Sequence, residues 1–93
     1  MKLYWSRRAQ HDLLVLQEFA RQKPSSGDVI ADALGAACDQ IVAMPLSGRS
    51  GRLDGTREIV LTGTPFILAY KVLARRATIL AIIHGARRWP KSL

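Results

Sequence analysis

The residues with chemistry to offer are concentrated near the C-terminus. His84 closes a run of strand-forming residues and is followed, after a glycine, by Arg87, Arg88, Trp89 and, past Pro90, Lys91. An imidazole titrates near neutrality and moves protons. Guanidinium groups grip phosphate or carboxylate through paired N–H donors. His84 beside Arg87 is therefore a candidate proton-transfer pair at a polyanion. Arg57, at the start of an earlier strand, is a candidate third member if strand pairing carries it to the same end of the sheet. Each has a plainer alternative. A strand-end histidine commonly bonds to backbone, Arg57 could pair with a helix carboxylate, and Arg87 with Arg88 could be a solvated basic tail. Trp89 could stack on a base, although a tryptophan after a strand more often folds back onto the core.

The other polar stretches offer less. Gly48-Arg49-Ser50-Gly51-Arg52 has the glycines and cations of a phosphate loop, but lacks the Gly-Lys-Ser/Thr ending and the strand before it. Arg75 and Arg76 fall in a predicted hairpin turn, where charge commonly serves solubility and edge protection. Cys38 lies on the apolar side of a helix and reads as a small buried residue. One cysteine and two histidines make neither an internal disulfide nor a structural zinc set, and no metal or cofactor is expected.

Charge says what kind of partner to expect. The 93 residues carry 14 Lys+Arg against 7 Asp+Glu, a formal net charge of +7. The two signs nearly cancel as far as Glu58. From Ile59 to Leu93 there is no carboxylate, while Lys71, Arg75, Arg76, Arg87, Arg88 and Lys91 all lie there. Such a region attracts polyanions, nucleic acid or an acidic protein, through a field that salt weakens. No secretory segment follows Met1 and no apolar run is long enough to cross a bilayer, so a soluble, cytoplasmic protein is expected.

The elements that must position these residues are legible from periodicity. Lys2 to Trp5 is a short first strand, and Ser6 a plausible N-cap. Ala9, Leu13, Leu16, Phe19 and Ala20 recur at helical spacing from Arg7 to Gln22. A break over Lys23-Pro24-Ser25-Ser26-Gly27 precedes a second helix, which starts near Ser26 or Gly27 and ends at Pro45. Leu46 to Thr56 is predicted to be a mobile loop. Ile59–Thr62, Phe66–Leu73 and Thr78–His84 are β-branched and aromatic runs with short connections, an antiparallel meander. The expected fold is α+β, βααβββ, one domain over 1–93, with an antiparallel sheet and a helical hairpin packed on one face. Strands that are apolar on both faces need two covers; the helices supply one, and a partner outside the chain is expected to supply the other.

In this order the sequence resembles the RelE/ParE superfamily of toxins from type II toxin–antitoxin systems. The resemblance rests on Ala9, Asp12 and Leu13 in the first helix, and on the Pro-x-x-Gly-Arg loop (Pro45, Gly48, Arg49). It extends through Thr56-Arg57-Glu58, the strand Pro65-Phe66-Ile67-x-x-Tyr70-x-Val72 and the closing His84-Gly85-Ala86-Arg87-x-Trp89-Pro90. It implies the βααβββ fold, a cognate antitoxin, and a hetero-oligomeric complex that restrains growth inhibition. The superfamily divides by target. Members similar to RelE cleave mRNA in the ribosome, which needs an acid/base group and arginines aimed at the phosphate; here Arg57, His84 and Arg87 would be the catalytic set. Members similar to ParE poison DNA gyrase, with Arg87, Arg88, Trp89 and Lys91 as the target-binding residues. The arginine usual at the end of the second strand of the RelE-like branch is Thr62 here, and the C-terminal tyrosine is missing. The closing motif is more like ParE, so the ParE-like branch is favoured. Ribosome-dependent mRNA cleavage is the alternative, and a non-toxic nucleic-acid-binding module the third.

Overall fold

The computed structural model describes residues 1–93, the side chains of Pro24 and Ser26 excepted. The chain runs β1 (Lys2–Trp5), α1 (Arg7–Gln22), α2 (Pro24–Ala43), β2 (Arg49–Ser50), β3 (Arg57–Val60), β4 (Phe66–Leu73) and β5 (Arg76–His84). The strands form one sheet in the order β1-β5-β4-β3-β2. The α+β order of strand, two helices and three strands is as the sequence implies.

Two details differ. The sheet is mixed, because β1 pairs parallel with β5 from Lys2↔Arg76 to Trp5↔Ile79. In addition, the 46–56 loop contributes β2, antiparallel to β3 through Arg49↔Glu58 and Ser50↔Arg57. The second helix also starts earlier than its apolar pattern, at Pro24, since a proline at the first helical position forfeits no intrahelical hydrogen bond.

Ser6 joins three elements. Its Oγ accepts from Ala9 N–H at 3.0 Å, the N-cap that starts α1, and donates to Leu80 O at 3.1 Å. Its own N–H donates to Ile79 O at 2.9 Å. The end of β1, the start of α1 and the middle of β5 are thus tied at one residue.

Cross-strand partners share a face of the sheet. On one face Leu68, Tyr70, Ile79, Ile82 and Ile59 pack with Leu16, Ile30 and Ile41 of the helical hairpin. On the other face stand Ile67 opposite Ile83 and Ala69 opposite Ala81 and Glu58, all buried although no helix lies there. The chain supplies much of this cover itself, with the 49–56 loop and the segment after His84, while Val60, opposite Ile67, and Leu73 at the end of β4 stay exposed. Arg52 of the loop donates to Gly85 O, its guanidinium lies 4.2 Å from the Trp89 ring centroid, and Leu80 shares a shallow surface with Lys91 and Leu93.

The 46–56 loop is correspondingly better held than its composition suggests. Tyr70 is fully buried, and its hydroxyl donates to Pro45 O at 2.8 Å while accepting Gly48 N–H at 3.0 Å. A Cβ at Gly48 would stand 2.5 Å from that hydroxyl, so only glycine lets the loop close on the tyrosine. Arg57 adds two bonds from Nη1, to Leu46 O at 2.9 Å and Gly48 O at 3.0 Å.

Candidate functional site

The site forms where β5 outruns β1. Register between them ends at Trp5↔Ile79, and the chain then turns into α1, so residues 80–84 of β5 have α1 rather than a strand along that edge. Exposed backbone groups on such an edge need partners. Leu80 O takes the Ser6 hydroxyl, and Ile82 N–H donates to Asp12 Oδ2 at 3.0 Å. Asp12 also faces Arg8, whose Nε is 3.4 Å from the same oxygen, four residues back on α1.

Beyond this point the edge and the helix enclose a groove of about 340 Å³. Its floor is apolar, with Val15, Leu16, Phe19, Phe66 and Ile82; its rim carries Arg8, His84, Arg87 and Arg88. Phe66 anchors the floor edge-on to both Phe19 (5.6 Å) and His84 (5.7 Å). The imidazole Nδ1 accepts Ala86 N–H at 3.1 Å, so in the neutral ring the proton sits on Nε2. Gly85 N–H bonds to Pro65 O at 2.8 Å and Arg87 N–H to His84 O at 3.0 Å, which turns the chain sharply out of the strand.

The sequence-nominated residues fall into three places. His84, Arg87 and Arg88 meet at the groove. Arg57 does not join them: it pairs with Tyr70, while His84 pairs with Phe66, four residues along β4, or roughly 13 Å at the rise of a strand. Its guanidinium is turned to the carbonyls of the 46–48 loop. Trp89 is half-buried, with Arg52 over its ring, and Lys91 is exposed. Among the described residues the ion pairs are Arg8–Asp12, Arg21–Glu18, Arg49–Glu58 and Arg52–Glu58, and none includes Arg57, Arg87, Arg88 or Lys91.

Arg8 is not among the residues singled out from the sequence, yet it shares the rim. The signal was there in Arg8 and Asp12 at the i, i+4 spacing of a helix pair. Phe19 and Phe66 were seen as core residues of separate elements, and only the fold shows them lining one groove with His84. Glu58 was the other omission. It is 3% exposed, and its carboxylate accepts Arg49 Nη2 at 3.1 Å and Arg52 N–H at 2.7 Å.

A strand, a helical hairpin on one face of the sheet and a returning meander are the arrangement expected of the RelE/ParE fold. In a solved structure, the chromosomal ParDE TA system from P. aeruginosa, one chain superposes with a TM-score of 0.74 at 24% identity, covering 90% of this chain and 95% of that one. Residues 3–89 match the family described as ParE toxin of type II toxin-antitoxin system, parDE, and the chain belongs to that family. It is 31% identical over 93 residues to Y4kP, a candidate toxin of Sinorhizobium fredii (strain NBRC 101917 / NGR234), with 99% of this chain and 96% of the relative covered. Membership makes this chain the toxin half of a pair and implies a cognate antitoxin. Among the described residues, no helix is long and apolar enough to cross a membrane.

Proposed function

We propose that this toxin acts in the cytoplasm by poisoning DNA gyrase, and that its antitoxin restrains it as a hetero-oligomer by filling the groove between α1 and the end of β5. The observation that carries the reading is the pair Arg87 and Arg88, exposed and outside every ion pair among the described residues, at the mouth of a groove with an apolar floor. A partner segment with apolar side chains for Val15, Phe19 and Phe66, and carboxylates for Arg8, Arg87 and Arg88, would bury the cations that a target must reach. Gyrase is preferred to the ribosome because Arg57, which RNA cleavage would use beside His84 and Arg87, is committed elsewhere. Purified toxin added to gyrase and supercoiled plasmid is expected to accumulate cleaved complexes and to suppress supercoiling. Full gyrase activity at toxin excess would remove the preference.

The second reading, ribosome-dependent mRNA cleavage, is favoured by one observation, that His84 and Arg87 do stand together. His84 would then take the proton of a ribose 2′-hydroxyl and Arg87 would face the phosphate. Primer extension on message from induced cells would show cuts within codons, lost in His84→Ala. Intact message in cells whose growth has stopped would exclude it.

A further inference from the structure

The segment from Gly85 to Leu93 carries Arg87 and Arg88 but has no helix or strand of its own. Its own backbone contributes Gly85 N–H to Pro65 O and Arg87 N–H to His84 O, both at its start. One side chain from the opposite loop adds to the packing that holds it on the sheet. The backbone N–H of Arg52 donates to Glu58 Oε2 at 2.7 Å, and its Nε lies 4.0 Å from Glu58 Oε1. Its Nη1 reaches Gly85 O at 3.4 Å, and its guanidinium carbon lies over the Trp89 ring, 4.2 Å from the centroid. One arginine therefore touches a buried carboxylate, the turn that launches the tail, and the tail's aromatic anchor. Among the described residues, the buried Trp89 Nε1 has no hydrogen-bond partner, so the ring lacks a polar anchor of its own. Stacking on Arg52 and packing on the sheet must keep it in place against that cost.

The geometry points to Arg52 as a positioning residue for the target-binding tail: it clamps Trp89 and Gly85 to the second face of the sheet, so that Arg87 and Arg88 are presented at the groove. This rests on the reading that those two arginines engage the target, and not on which target it is. Arg52 itself need not touch the target. Lysine cannot take its place, because the clamp uses a planar group that stacks and a side nitrogen that donates at the same time. Glu58 fixes the clamp from behind, and Arg49 shares that carboxylate.

The test follows the Trp89 indole N–H and growth inhibition together, in the full chain. The indole proton is buried, so its exchange with solvent in the NMR spectrum reports whether the tail is seated; Trp5→Phe assigns it. Arg52→Lys is expected to make that exchange fast and to reduce growth inhibition about tenfold, the loss of a stacked, charge-assisted contact. The double variant Arg52→Gln/Glu58→Gln removes the buried charge along with its partner, and is expected to keep the β3–β5 resonances while behaving the same way. A protected indole in both variants would overturn the proposal, as would an unseated tail with inhibition at the wild-type level. Arg87→Ala/Arg88→Ala separates the two possible failures. If that pair loses inhibition while Arg52→Lys keeps it, the positioning role is wrong; if both keep it, the tail does not engage the target.

Discussion

Tyr70 shows how a motif residue with the look of chemistry can be structural. Its hydroxyl bridges Pro45 O and Gly48 N–H inside the core, so the tyrosine in the strand motif and the proline and glycine of the loop motif form one lock. Tyr70→Phe takes the partner from the buried Gly48 N–H and from the part-buried Pro45 O, and is expected to lower unfolding stability by about 1–3 kcal/mol in urea melts; an unchanged midpoint would show that water replaces the hydroxyl. Arg57 belongs to the same lock, which its position in the sequence did not reveal: a strand-start arginine looks the same whether it faces a phosphate or two carbonyls. Glu58 was overlooked for a similar reason, because its partners Arg49 and Arg52 reach it across a loop and leave no periodic trace. Cys38 reads from the sequence as a small buried residue, and its thiol pKa is raised by burial first and by Asp39 second. Less thiolate at neutral pH means slow attack on disulfide reagents; labelling of the folded toxin should lag well behind that of the unfolded chain.

Among the elements, both helices and the three meander strands were legible because each has enough residues to show a period. β2, with only Arg49 and Ser50, has too few to show one. The parallel direction of β1 was not readable either, since alternating side chains look the same run either way; the long crossover that parallel pairing requires is supplied by the helical hairpin and the meander. The β4–β5 turn holds a residual cost that the sequence hides. Ala74 has φ of 54°, a left-handed conformation that disfavours a Cβ. Ala74→Gly is expected to gain roughly 0.5–1 kcal/mol after the extra entropy of glycine in the unfolded chain, seen as a rise of a few degrees in Tm. Asp12 ties α1 to the free edge of β5 through Ile82 N–H. Asp12→Ala is expected to cost about 1–3 kcal/mol and to loosen the groove; amide exchange at Ile82 should rise far more than at Leu68.

At the scale of the whole molecule, charge is sorted by face and end. The buried carboxylate of Glu58 is shared by Arg49 and Arg52 and the largely buried one of Asp12 pairs with Arg8, while the C-terminal cations stay outside the ion pairs among the described residues. The sequence showed that asymmetry as a stretch without Asp or Glu, but not that much of the second sheet face is covered from within. The α1–β5 groove is the place we propose for the antitoxin. Its affinity is expected to fall as salt rises from 50 to 500 mM, the signature of exposed arginines meeting carboxylates across about a Debye length. The central claim is that the basic end of the sheet is the working end of the toxin. It is tested most directly by titrating wild-type and Arg87→Ala/Arg88→Ala toxin into a gyrase supercoiling reaction and comparing the concentrations that halve it. A rise of about tenfold or more for the variant, with its fold unchanged by circular dichroism, is the expected result; equal potency of the two proteins would contradict the account.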